Sequence, residues 1–236
     1  MSVWSDPVGF RRTVAGVATI AAGVFTFAGM LTDPRAADDS HRAYLESLLA
    51  NPGLAQVSAP LFWVGYVSTV VMMLAMVHLV RRRGVVLAHV GALLAIPAGM
   101  TMTGMLIIDM VELGITQQLG LEGALALDEA VGLLPGLILF IAQAPLLILG
   151  SILLQIALWR SGFVPGIYPA VVLTAQTAFV LGATTWPIGQ IATGVLALAY
   201  GWLGLRILRL DDVSWVAGGQ GAPAEVTRVT GEPRPA

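Results

Sequence analysis

Six apolar stretches run along this chain of 236 residues, at 13–31, 60–80, 85–108, 131–159, 164–184 and 187–208. A helix needs about 20 apolar residues to cross ~30 Å of hydrocarbon, and there it must satisfy every backbone N–H and C=O within its own turns. Every stretch has that length. The expected fold class is therefore an all-α integral membrane protein, a six-transmembrane-helix bundle. A soluble fold is excluded by the scarcity of charge: Asp, Glu, Lys and Arg make up 11% of the chain, against roughly 25% in ordinary soluble domains. The first stretch follows Arg11 and Arg12 and is longer than the roughly 7–15 residues of a signal-peptide core, so it is expected to be retained. The fourth exceeds one crossing, which implies tilt or a break near Pro145.

Arginine placement sets the orientation, because positively charged loops stay in the cytoplasm during insertion. Six spans with both termini cytoplasmic put ten of the 12 basic residues inside and leave Arg35 and Arg42 outside. The outer side then collects nine of the 14 acids, from Asp33 to Glu129. Residues 1–210 are expected to form one membrane domain, and 211–236, rich in Gly and Pro, a disordered cytoplasmic tail. All 12 basic residues are arginine. That bias suits a GC-rich bacterial genome, and with it a bacterial cytoplasmic membrane.

Two outer loops are long enough to hold short amphipathic helices. In 32–59, Asp38, Asp39 and Ser40 can cap a helix that places Tyr44, Leu45, Leu48 and Leu49 on one face and ends at Asn51-Pro52-Gly53, lying on the bilayer surface. The loop 109–130 mixes leucine with Gln117, Gln118, Glu122 and Asp128 in the same manner.

The chain has no cysteine, which removes disulfides, thiolate metal sites and thiol nucleophiles. A net charge of −2 leaves no basic stripe for nucleic acid. Phosphate-binding glycine loops, HExxH and GxSxG are absent, so no catalytic residue is assigned. Three sets of polar residues remain. His78 and His89 flank the RRRG turn at similar depth and are the residues that would hold haem or a transition metal. Asp109 and Glu112 share a helical face, with Asp128, Glu129 and His41 as neighbours, and form the candidate divalent-cation site. Gln143, Gln176, Thr101 and Thr103 sit inside spans, where polar side chains either join helices or line a cavity; they are the candidate substrate-binding residues.

Small residues recur at every fourth position in span three (Gly91, Ala95, Gly99, Thr103) and span six (Gly189, Thr193, Ala197, Gly201), ridges that admit close helix contact within the chain, in a homo-oligomer or with a membrane partner. The leading expectation is a bundle that binds or transports a small polar solute or cation through a polar seam. The alternatives are an accessory or sensory subunit acting through helix contacts, and a haem-binding redox protein.

Overall fold

The computed structural model describes residues 6–38, 40–132, 143–182 and 187–219. Among these the chain is helical and contains no strand. Asp39, the first part of the fourth apolar stretch, residues 183–186 and the tail from 220 lie outside the described residues, as do the side chains of Asp109 and Gln143.

Helix α1 (Pro7–Thr32) starts where Asp6 accepts hydrogen bonds from the backbone N–H groups of Val8 (3.0 Å) and Gly9 (3.1 Å), with Pro7 in the first turn, where its missing N–H removes no bond. Helix α2 (His41–Ala50) is capped by Ser40, whose Oγ accepts from Ala43 N–H. Its Leu45 and Leu48 are buried, while Leu49 turns outward. The apolar face packs on protein, against Leu113 and Ala124, instead of lying on lipid.

Helix α3 (Pro52–Leu79) begins eight residues before the expected span, because Pro52 can open a helix and Pro60 is carried within it. Helix α4 (Val85–Gly132) runs straight through the boundary expected near 108 and absorbs the second outer segment. It changes direction at Gly120 (φ 71°, ψ 169°), a conformation that costs glycine little and other residues much. Helices α5 (Gln143–Arg160), α6 (Ile167–Gly182) and α7 (Ile188–Leu208) complete the bundle. Four segments are long and apolar enough to cross a membrane: Pro7–Thr32, Pro52–Leu79, Val85–Gly104 and Ile188–Leu208. Pro145–Arg160 and Ile167–Val180 are shorter apolar helices.

Part of the stretch that composition marks as a tail is helical. Asp212–Val216 forms a short helix, α8, capped by Asp211. Its Trp215 is buried, stacks on His78 with ring centroids 4.3 Å apart and accepts a hydrogen bond from His78 Nε2 at its carbonyl. Gly218 and Gly219 both adopt positive φ and bring the chain against Arg81 and Phe163 so closely that a Cβ at either would collide. One buried tryptophan therefore orders a segment whose Gly and Pro content reads as disordered.

Six helices close into a ring in the order α6, α7, α1, α3, α4, α5, with the return contact from α5 to α6 the thinnest among the described residues. The small-residue ridges are used inside the chain. A methyl on Gly150 of α5 would fall 2.5 Å from the Gly91 carbonyl oxygen, and one on Gly204 of α7 would fall 2.6 Å from that of Gly16 on α1. Gly23 meets Ala197 in the same way, whereas Gly201, expected on the span-six ridge, has open space around it. The arginine-bearing ends of the helices converge: Arg12 of α1 pairs with Asp212, His78 of α3 meets Trp215, Gly84 abuts Ala157 of α5, and Arg206 of α7 lies over the Phe163 ring. At the opposite end, α2 and the bent arm of α4 form a cap with its own apolar core and a salt bridge from Arg42 to Glu122 at 2.8 Å.

Candidate functional site

The ring encloses a cavity of about 220 Å³ to which all six helices contribute. Its polar centre joins three of them. Gln176 on α6 donates from Nε2 to Ser151 Oγ on α5 (2.8 Å) and to the Tyr200 hydroxyl on α7 (3.0 Å), and Ser151 donates back to Gln176 Oε1 (3.1 Å). Gln155, one turn below Ser151, is 1% exposed and lines the same space, with its Oε1 buried and without a hydrogen-bond partner. Met72, Met73 and Met76 of α3 form an apolar wall, flexible thioether chains that adapt to irregular shapes. No charged side chain lines the cavity among the described residues. The remaining hydroxyls are largely satisfied locally: Thr69 and Thr193 donate to carbonyls one turn back in their own helices.

Of the four residues expected in a polar seam, Gln176 is the hub of this network. Thr101 and Thr103 line no part of the cavity and bond to the carbonyls of Pro97 and Gly99. The side chain of Gln143 lies outside the described residues. From the sequence Gln155 reads as a further polar residue of the same set nearer the end of its span, whereas Ser151 and Tyr200 are not singled out for this role. The available signal was spacing: Ser151 and Gln155 stand at i and i+4, as do Leu147 and Ser151, so they occupy one face of α5 and need an interior partner at that depth.

A second constellation lies in the cap. One donor atom each from His41, Glu112 and Asp128 lies within 4.8 Å of the others. The three residues come from the start of α2 and from α4 on either side of its Gly120 bend. His41 Nε2 is 3.5 Å from Asp128 Oδ2 and is shielded from solvent without a hydrogen bond. Donors around a divalent ion at bonds of about 2.0–2.2 Å stand roughly 3–4 Å apart, so small side-chain rotations would complete an imidazole–dicarboxylate set. Glu112 thus meets a partner set that includes the neighbours expected for it, while the side chain of Asp109 lies outside the described residues. Beside this group, Arg42 holds the Glu122 carboxyl below its ordinary range through their hydrogen bond and charge attraction.

His78 has both ring nitrogens engaged, Nε2 donating to the Trp215 carbonyl and Nδ1 accepting from Arg81 at 2.9 Å. His89 is exposed and donates from Nδ1 to Val85 O within its own helix. Each imidazole therefore has hydrogen-bonding partners within the chain.

The class that fold and cavity define is a helical bundle carrying four helices of membrane-crossing length and apolarity. No protein-family model, no curated protein and no solved structure matches the chain.

Proposed function

We propose that the chain crosses the bacterial cytoplasmic membrane six times, with both termini on the cytoplasmic side, and binds a small uncharged ligand in the central cavity. The observation that carries the binding reading is the Ser151–Gln176–Tyr200 network around a cavity lined, among the described residues, by no charged side chain. Such a site has hydrogen bonds to orient a neutral molecule and nothing to compensate a bare cation in low dielectric, so a neutral solute is favoured over an ion. The volume is below the ~300–1,000 Å³ of sites for drug-sized ligands. Two features support six spans. The shorter apolar helices α5 and α6 complete the same ring as the four long ones, and the arginine-bearing ends gather at one end, as cytoplasmic retention of positive charge requires.

Because the chain lacks cysteine, single cysteines report topology cleanly: Ser40→Cys should react with an impermeant maleimide in intact cells, and Arg82→Cys only after permeabilisation. The reverse pattern would overturn the orientation. Native mass spectrometry of the gently solubilised protein tests the site. A retained small-molecule mass, lost in Gln176→Leu, is expected; a bare wild-type chain would refute it.

A second reading is favoured by the convergence of His41, Glu112 and Asp128: a divalent transition-metal ion held in the cap. Calorimetric titration with zinc or manganese should then show one site, abolished by His41→Ala. Equal titration of wild type and variant would refute it.

A further inference from the structure

The nature of the ligand follows from how the cavity opens, provided the cavity is the binding site. Three of the six contacts in the ring are locked by close backbone approaches: α1 on α7 (Gly16 and Gly204, Gly23 and Ala197), α1 on α3 (Gly65 and Thr26) and α4 on α5 (Gly91 and Gly150). The contact between α5 and α6 has none of these among the described residues and is the thinnest in the ring. At this seam, Ile148 and Val180 line the cavity and remain 37% and 52% exposed, the signature of a cavity that is not closed there. They mark an apolar opening. Ile148 stands 12 residues from Arg160 and Val180 stands 13 from Ile167, which at ~1.5 Å per residue places both about 18–20 Å from the arginine end. That depth is within ~30 Å of hydrocarbon. The opening therefore faces acyl chains, not water.

Inside, the unpartnered Gln155 Oε1 asks for a hydrogen-bond donor from whatever occupies the cavity. Met72, Met73 and Met76 offer an apolar bed, and among the described residues no cationic side chain lines the cavity to meet an ionised headgroup. We propose that the cavity takes an uncharged single-chain amphiphile from the bilayer, of the long-chain alcohol or amide class. It enters between α5 and α6 past Ile148 and Val180 and donates its headgroup hydrogen bond to Gln155 Oε1. The tail then extends through the same opening into the membrane.

The test uses the full chain in lipid nanodiscs with three photoactivatable diazirine probes: a sixteen-carbon alcohol, its methyl ether and a four-carbon alcohol. Cross-linked peptides are mapped by mass spectrometry. The long alcohol should label the peptides carrying Met72–Met76 and Gln155 roughly tenfold more than the ether, the ratio set by one lost hydrogen bond. That preference should vanish in Gln155→Leu or, should that variant not fold, in Gln155→Met. Val180→Cys carrying a bulky maleimide should slow labelling by the long alcohol several-fold. Equal labelling by ether and alcohol would overturn the headgroup assignment, and an unchanged rate with the blocked Val180→Cys would overturn the entrance. Labelling of the cavity by the short alcohol alone would refute the amphiphile while leaving the binding site standing. No cavity label from any probe would refute both.

Discussion

Replacing Gly150 with alanine puts a methyl group at the tightest crossing of α5 on α4. That methyl would lie 2.5 Å from the Gly91 carbonyl oxygen, 2.6 Å from Ala95 N and 2.7 Å from Ala95 Cβ, where ordinary contact starts at 3.4 Å. Two of these three atoms are backbone and cannot rotate aside, so the helices must part by about 0.7–0.9 Å or tilt. Overpacking of this kind costs about 1–3 kcal/mol. Alanine also favours the helix by about 1 kcal/mol over glycine, which would obscure the loss in a single measurement. Gly201→Ala provides the reference: it lies inside α7, has nothing within 4 Å of its would-be Cβ, and carries the same propensity gain without the clash. Gly150→Ala should therefore be less stable than Gly201→Ala by about 1–3 kcal/mol, since the propensity gain cancels between them. Reversible unfolding in mixed SDS–detergent micelles, followed by tryptophan fluorescence, measures that difference. Equal stability of the two variants, or Gly150→Ala the more stable, would refute the close α4–α5 approach. Gly150 precedes Ser151, so the same displacement should also reduce the ligand mass retained in native spectra.

Gln176→Leu leaves the hydroxyls of Ser151 and Tyr200 without their partner. At about 0.6–1.7 kcal/mol per interhelical hydrogen bond the three bonds of Gln176 together amount to roughly 2–5 kcal/mol in the same unfolding assay, and Tyr200→Phe should lose about a third of that. A Gln176→Leu variant as stable as wild type would contradict the network. Trp215→Ala should release the docked segment 211–219, seen as rapid tryptic cleavage after Arg209 in a bundle that stays folded; unchanged cleavage would show that the tryptophan does not hold α8. The Arg42–Glu122 pair predicts a pH dependence of the cap. Because the folded carboxyl is held below its ordinary value of 4.5, the contribution is complete above that pH and is lost as pH falls through the lower folded value. The protection of α2 amides, taken relative to their intrinsic exchange rate at each pH, should fall in acid in wild type, the fall should be smaller in Glu122→Gln, and high salt should blunt it.

The positions of the helices were legible because apolar length is a direct physical requirement of the bilayer. The stretches at 13–31, 60–80, 85–108 and 187–208 each fall within one of the four long apolar helices or largely so. Their ends were less legible, since Pro52 and Gly120 allow α3 and α4 to run beyond the hydrocarbon and build the cap from continuous helix. The cap helix α2 was readable from Ser40 and the Leu45–Leu48 spacing, although its apolar face meets α4 and not lipid. Depth and amide chemistry pointed to Gln176. They did not point to Tyr200, whose partner Gln176 lies 24 residues away on another helix and is met only where α6 and α7 come together. Thr101 and Thr103 illustrate the converse: a threonine in a span satisfies itself on the preceding turn, so its polarity alone does not mark a seam.

The two ways in which the helices are joined bear directly on function. Packing through glycine demands contact at fixed distance, so the crossings of α1 with α7 and of α4 with α5 cannot open without losing many contacts at once. Helix α6 is held differently: among the described residues it packs on α7 and touches α5 more thinly, where the amide of Gln176 bonds to Ser151. Hydrogen bonds are exchangeable, because an incoming hydroxyl or amide can take over a partner as the original one leaves, at little net change in free energy. The ring is therefore tight where it must keep its shape and replaceable at the seam that faces the cavity. A ligand able to compete for Ser151, Gln176 or Gln155 would loosen the α5–α6 contact as it binds, whereas an inert hydrocarbon of the same size would have no means of doing so.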